Sequence, residues 1–424
     1  MQTMSRYRDL LWDFTYEGAS KGMHRVTLRV FQGEQEMFER RGQSGSELNV
    51  SLPIERSSTD KTSRGQRSRE RIPASILADL GRMLWEAIPF WPKSALLEAT
   101  PDRPCRLKIS GNSAVIDDLP WEWLNDGPGE PFALRPETRI ARSIPIRLAI
   151  PPMTVEPPLR VLLVLTNPKD ERLLAGWVEI PAVSQRLQAP PYALRVLEEP
   201  TWEALVQALR EEPHIVHYIG HAGVNQGDGN LILHDLNNRT HWISGPELAQ
   251  ALPLSVRLLC LSTCFTAPNY QILGLPRLAH APATYRLPTT VTNRYPVGES
   301  GVRSFWAVFY ESLATHGGSV NEAFHEAQQA VAAEPGTEAD WGSFSLVIRD
   351  QSGEAMRLEA GGTQSDEKYA AEIQAQLASR LANDMAERLR EFGAEPADIV
   401  QRQYEETATR ASDLVERYRE GKQP

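Results

Sequence analysis

The chain has 424 residues, 41% of them hydrophobic and 24% charged, the proportions of a folded protein with room for two domains and a smaller extra piece. Its formal net charge of −10 excludes a general nucleic-acid binder, because phosphate contacts need clustered Lys and Arg. Three cysteines, Cys105, Cys260 and Cys264, exclude a disulfide-stapled scaffold, and with no Cys-x-x-Cys pair a structural zinc site is not expected.

Met1 to Thr15 is mixed and charged, without the apolar core of a signal segment, and no apolar run approaches the roughly 18 residues of a membrane span. The expectation is a cytoplasmic protein with free thiols and no membrane partner. Residues 1–150 read as α+β. Val26 to Phe31 has strand character, and Leu48 to Leu52 alternates like a half-buried strand. Ile76 to Ile88 carries apolar residues at helical spacing: Ile76, Leu77, Leu80, Met83, Leu84 and Ile88. Arg106 to Ile109 and Ala114 to Ile116 read as a hairpin about Gly111-Asn112. Between them, Arg56 to Arg71 sets six basic residues against Asp60 and Glu70 with no apolar residue before Ile72. It reads as a solvated loop, with processing or an acidic partner as the sharper alternative.

Pro151, Pro152, Pro157 and Pro158 interrupt regular pairing, and a domain boundary is placed there. Strands and helices then alternate. Leu159 to Leu165 (LRVLLVL) is an apolar run of strand length, Arg160 aside, as in a buried parallel strand. Helices are expected over Trp177 to Leu187, from an N-capping Thr201 to about Arg210, and over Gly245 to Leu252. Further strands are Ile215 to Ile219, Val256 to Leu261, Thr289 to Thr292 and Phe344 to Ile348. Helices Val302 to Thr315 and Ser319 to Ala333 lie between the last two. The pattern is an α/β domain over 151–358 with a mainly parallel sheet and flanking helices.

Residues 359–424 change character. Ile373, Leu377, Leu381, Met385, Leu389 and Phe392 form one amphipathic stripe, Gly393 and Pro396 stop it, and Ile399 to Tyr418 supplies a second helix. Such a hairpin cannot bury both stripes alone. The expectation is a regulatory or partner-binding helical tail, docked on the body, on a second copy or on an activator.

In an open α/β sheet, function gathers at the carboxyl ends of strands. One such end reads His214-Ile-Val-His217-Tyr-Ile-Gly-His221-Ala222-Gly223, and another Cys260-Leu-Ser-Thr-Cys264. If those strands are neighbours, His221 and Cys264, 43 residues apart in sequence, face each other. A thiolate is the nucleophile, and an imidazole removes its proton. Backbone N–H groups of Ala222 and Cys264 are candidate oxyanion donors. Both groups are expected at strand-to-loop junctions, with Gly220 and Gly223 allowing the backbone to turn. Cys260 sits inside an apolar run and reads as core. His217 reads as a buried, hydrogen-bonded residue and His214 as exposed; His234, His241, His280, His316 and His325 read as structural. Gly227-Asp228-Gly229 reads as a turn, and no cofactor motif is visible.

These segments resemble the CHAT-type caspase-like cysteine proteases of clan CD, relatives of caspases and separase. The family's Gly-His-Gly is similar to Gly220-His221-Ala222, and its Leu-Ser-Ala-Cys-Glu-Thr-Gly to Leu261-Ser262-Thr263-Cys264-Phe265-Thr266-Ala267. Tyr295-Pro296-Val297-Gly298-Glu299, Phe309-Tyr310-Glu311-Ser312-Leu313 and Ser319-Val-Asn-Glu322-Ala323 follow in family order. Leu119-Pro120-Trp121-Glu122-Trp123 resembles the family's earlier signature. The resemblance covers nearly all of residues 110–350. It implies a caspase-type fold, a His221–Cys264 dyad hydrolysing peptide bonds of a protein substrate, and no metal. It makes residues 1–150 the N-terminal half of the module. For bacterial relatives it implies a role in antiviral defence or programmed cell death, with a gasdermin or another neighbour-encoded protein as substrate. An acidic P1 pocket would favour Arg or Lys, and Asp228 and Glu299 are its candidates. This sequence departs from the family at Ala222, Phe265 and Ala267. A catalytically silent scaffold that recruits a partner through its tail is therefore the alternative, and a thiol acyltransferase would share the dyad chemistry.

Overall fold

The computed structural model describes residues 7–20, 23–32, 35–36, 48–53, 73–117, 119–127, 129–144, 150–171, 179–225, 228–265, 287–295, 297–349 and 354–358. The basic segment 56–71, His280 and residues 359–424, where a helical tail is expected from the sequence, lie outside the described residues.

The N-terminal half runs β1 (Arg8–Ser20), β2 (Met23–Gln32), β3 (Gln35–Glu36), β4 (Leu48–Pro53), α1 (Ala74–Ala87), α2 (Phe90–Leu97), β5 (Cys105–Gly111), α3 (Ala114–Asp117) and β6 (Thr138–Ser143). After it come β7 (Met153–Val155), β8 (Leu159–Leu165), α4 (Glu179–Leu187), β9 (Tyr192–Glu198), α5 (Trp202–Leu209) and β10 (Ile215–Asn225). The chain continues through β11 (Asp228–His234), β12 (Thr240–Ser244), α6 (Gly245–Ala251), β13 (Leu258–Phe265) and β14 (Thr289–Asn293). It closes with α7 (Glu299–Thr315), α8 (Val320–Ala333), β15 (Phe344–Ile348) and β16 (Met356–Leu358).

Fourteen of these strands form one mixed sheet. Its centre is parallel in the order β9-β8-β10-β13-β14, and β15 joins β14 antiparallel. β15 also pairs with β6, so the sheet continues without a break through β6, β5 and β1 of the N-terminal half. β7 and β16, near the two ends of segment 151–358, pair with each other in a small separate sheet. The fold is mixed α/β, with a mostly parallel central sheet and helices on its faces.

The apolar run of β8 explains why its strand is central. Leu159, Val161, Leu163 and Leu165 enter one core with Phe305, Trp306 and Phe309 of α7. Leu162 and Val164 enter another, with Leu205 and Leu209 of α5 and Leu248 of α6. Side chains alternate between the faces of a strand, so the stretch covered on both faces, Val161 to Leu165, is apolar throughout, while Arg160 near the start of β8 is exposed. Thr201 caps α5 by accepting the Ala204 N–H at 3.3 Å, and Ser244 with Glu247 closes a capping box at α6.

Three local expectations are corrected. No hairpin forms over 106–116: β5 pairs in parallel with β1 and β6, and Ser113 starts α3 instead, its Oγ accepting the Val115 N–H at 3.3 Å. The buried face of α1 is Leu77, Gly81, Leu84 and Trp85, while Ile76 and Met83 face solvent. His214 is buried rather than exposed, because its Nδ1 accepts the Arg160 N–H at 3.1 Å between β8 and β13. Burial, with Arg160 adding to it, lowers its pKa to about 4.

Candidate active site

β10 and β13 are parallel neighbours whose register pairs Ile215 with Leu258 and, six residues on, His221 with Cys264. Both strands run past these residues, to Asn225 and Phe265, so His221 lies within a strand rather than at a strand-to-loop junction. The reason is a change of neighbour on the far side of β10. β8 pairs with Ile215 to Ile219 and ends at Leu165; β11 then pairs with Ala222 to Asn225. At the handover, the Tyr218 hydroxyl lies 2.6 Å from the His221 carbonyl oxygen and 2.7 Å from that of Ile232, and Thr166 Oγ1 donates to Ile232 at 3.1 Å. A Cβ at position 220 would fall 2.3 Å from Thr166 Cγ2 and 2.5 Å from the Tyr218 hydroxyl. Gly220 is thus required for close approach, not for a turn. Gly223 admits the partly exposed Trp242 indole in the same way, with a Cβ falling 2.9 Å from its ring.

His221 is fully buried, and its Nε2 lies 3.0 Å from Asn167 Oδ1. With that amide oxygen as acceptor, Nε2 carries the proton and Nδ1 is the basic nitrogen. Asn167 follows the end of β8, and its own N–H donates to His234 Nε2 at 3.1 Å. The other nitrogen of His234 meets Asn238 Oδ1. One tautomer satisfies both contacts, Nδ1 donating and Nε2 accepting. His221 is therefore oriented by an asparagine that a second histidine orients in turn. The sequence reading missed this relay: Asn167, His221 and His234 come from three segments, and only the position of Asn167 after an apolar strand signals it.

Four residues upstream, the same two strands carry a second register pair, His217 with Cys260. Both are fully buried. His217 Nδ1 meets the Tyr310 hydroxyl at 2.8 Å, and its ring packs 4.4 Å from that of Trp306. Burial pushes the imidazole pKa down to about 3 and the Cys260 thiol up to about 12, the thiol shift being partly offset by a hydrogen bond to Tyr310. Cys105 is likewise buried and pushed up to about 11.

The two halves are tied beside this site by buried charge. Arg142 grips Glu122 through two nitrogens at 2.9 and 2.8 Å, and Ser345 donates to the same carboxylate. Burial alone would raise the Glu122 pKa, but Arg142, Arg294 and Ser345 together hold it below the ordinary range. In return, Glu322 of α8 accepts from Arg139 of β6 at 3.0 Å and from Tyr7. Glu122 and Glu322, noted only as motif letters in the sequence, thus join β6 to the far half.

Glu299 is exposed in the first turn of α7, and Asp228 opens β11 opposite Asn225. Ala222 lies between Phe265 of β13 and Leu231 of β11. Among the described residues no three His, Cys, Asp or Glu side chains are grouped to hold a metal ion, and no helix is long and apolar enough to cross a membrane.

The CHAT domain model matches residues 77–350. The chain belongs to the CHAT domain family. The match starts in α1, so this CHAT module takes in about half of the N-terminal segment, from α1 through β6 and without β1 to β4, as well as the α/β segment. Among solved structures the chain is similar to the separase–securin complex of Saccharomyces cerevisiae, at 14% identity over 57% of this chain and 15% of that one, with a TM-score of 0.36. A second structure of that complex gives 15% identity over 61% and 16%, with a TM-score of 0.38. The chain is also similar to the Arg-specific cysteine proteinase gingipain R, at 9% identity over 68% of this chain and 69% of that one, TM-score 0.38. The CHAT chain therefore spans about one-sixth of the separase chain it resembles. These are likenesses of fold. No protein of curated function matches the chain in sequence.

Proposed function

We propose that this CHAT-family chain is a cysteine endopeptidase with Cys264 as nucleophile and His221 as general base. The observation that carries the reading is the parallel register that makes His221 and Cys264 neighbours on adjacent strands, with His221 Nε2 held at 3.0 Å by Asn167. In this reading His221 Nδ1 takes the Cys264 thiol proton. The thiolate attacks the scissile carbonyl carbon, and the oxyanion is met by backbone N–H groups at Ala222 and Cys264. Collapse breaks the C–N bond, and the leaving amine takes the proton from His221. Water, deprotonated by the same imidazole, then releases the acyl group and regenerates the thiol. A reducing compartment would keep the Cys264 thiol free for this chemistry.

Family resemblance extends the reading to bacterial defence or programmed cell death, with a gasdermin or another protein as substrate and the helical tail as a place for an activator. Asp228 and Glu299 are the proposed acidic residues of a P1 pocket for Arg or Lys. A second reading, a silent scaffold, is favoured by one observation: the His221 side chain has no exposed surface.

A digest of proteome-derived peptides, read by mass spectrometry, separates the two. We expect cuts after Arg or Lys with the wild type and none with Cys264→Ala, a loss of about 10⁴-fold or more. Loss of the Arg/Lys preference in Glu299→Gln or Asp228→Asn would assign the pocket. Cuts that persist in Cys264→Ala would falsify the dyad.

A further inference from the structure

The β13–β14 ladder runs from Leu258 beside Thr289 to Leu261 beside Thr292. β14 ends one residue later, at Asn293, while β13 continues to Phe265. The stretch of β13 that leads into Cys264 therefore runs beyond the ladder that supported it on that side. A side chain takes over there. Asn293 Oδ1 accepts the Thr263 N–H at 3.0 Å, and Asn293 Nδ2 donates to the Thr263 carbonyl oxygen at 2.8 Å. One amide thus satisfies both backbone groups of the residue before Cys264, as a peptide unit of a neighbouring strand would. Asn293 and Thr263 are both buried, so water is a poor substitute.

The amide has a rigid base. The backbone of Asn293 pairs with Phe344 of β15. The next residue, Arg294, donates its N–H to Ser343 at 2.7 Å and its guanidinium to the carbonyl oxygens of Leu119, at 3.0 Å, and Asp117. It also lies 3.7 Å from Glu122. The grip on Thr263 is thus anchored in the N-terminal half through the Leu119-to-Trp123 signature. On its other edge Thr263 is paired with Gly220 of β10, so the nucleophile strand is held from both sides at the residue before Cys264.

We infer that Asn293 is a positioning residue for Cys264: its amide replaces the missing end of β14 and fixes the backbone that carries the nucleophile against His221. The inference rests on the dyad reading above. Its test compares wild type, Asn293→Ala and Cys260→Ala, the last a buried thiol outside the machinery that controls for general loss of stability. At a temperature where all three are folded, Asn293→Ala should lower kcat roughly tenfold or more while KM stays within about twofold, since small displacements of reacting groups act on the chemical step. The pH profile of Cys264 alkylation by iodoacetamide should shift upward in Asn293→Ala and not in Cys260→Ala. Hydrogen exchange in the 258–265 segment should accelerate in Asn293→Ala. A kcat equal to that of Cys260→Ala, or a change in KM alone, overturns the positioning role. Unchanged exchange overturns the grip itself. A wild type with no cleavage and ordinary Cys264 reactivity strikes at the dyad instead, and the exchange result then decides the hold of Asn293 separately.

Discussion

Strands β10 and β13 carry the same residue pair twice, His217 beside Cys260 and His221 beside Cys264. The first pair lies where β10 is flanked by β8 and covered by α7, with Trp306 and Tyr310 against the imidazole. Its histidine is pushed down to about 3 and its cysteine up to about 12, so neither is charged at neutral pH. The second lies beyond the end of β8, where an asparagine orients the ring instead of an aromatic core. In the proposed function, adjacent His and Cys are therefore not enough for chemistry. What separates the pairs is position along the strand, which decides whether the partners are packing rings or orienting amides.

The largest expected effect breaks the comparison outright. Cys264→Ala should remove peptide cleavage, whereas Cys260→Ala should leave turnover within about twofold and cost about 1–2 kcal/mol of stability for the lost buried group. Next, Asn167→Ala should lower kcat by about 10- to 100-fold with little change in KM, because it frees the ring of His221 without removing it. The analogous loss at the upstream pair, Tyr310→Phe, should leave kcat unaltered and appear only in the melting temperature.

The smallest effect is in pH dependence. An unfolded imidazole takes a proton near 6.5, whereas folded His217 and His325 resist it down to about 3 because they are buried. Between those values the unfolded chain binds more protons, so stability should be full above about pH 6.5 and fall as the pH drops below it. Urea unfolding between pH 7 and 5 should show this slope, reduced by about one proton in His217→Phe. A slope of opposite sign would mean that these imidazoles are charged in the folded protein.

The sequence carried much of this arrangement. The largely apolar runs of β8, broken only by Arg160, and of the first half of β13 marked them as central, and the two strand ends singled out His221 and Cys264. Other parts were hidden for physical reasons. β6 reads Thr-Arg-Ile-Ala-Arg-Ser, and its two arginines mask a buried strand because their partners lie on other elements, Glu322 183 residues from Arg139 and Glu122 20 residues from Arg142. Among the described strands β9 pairs only with β8, and its mostly half-exposed residues carry no strong pattern. Gly220 and Gly223 looked like turn formers, but their function is to make room for Tyr218, Thr166 and Trp242. The extension of β10 past His221 depends on β11 replacing β8, which no local pattern announces. Asn167, His234 and Asn293 act through backbone and ring contacts across segments, and polar residues at strand ends are too common to stand out before the strands are aligned.

The most direct test of the account is alkylation of the folded wild type by iodoacetamide across pH 5 to 10, with each cysteine followed by mass spectrometry. We expect Cys264 to react with a midpoint well below the ordinary thiol value of about 8.5, to lose that advantage in His221→Asn, and Cys260 to stay unmodified throughout. A Cys264 that reacts with an ordinary midpoint, indifferent to His221, would contradict the pairing on which the proposed function rests.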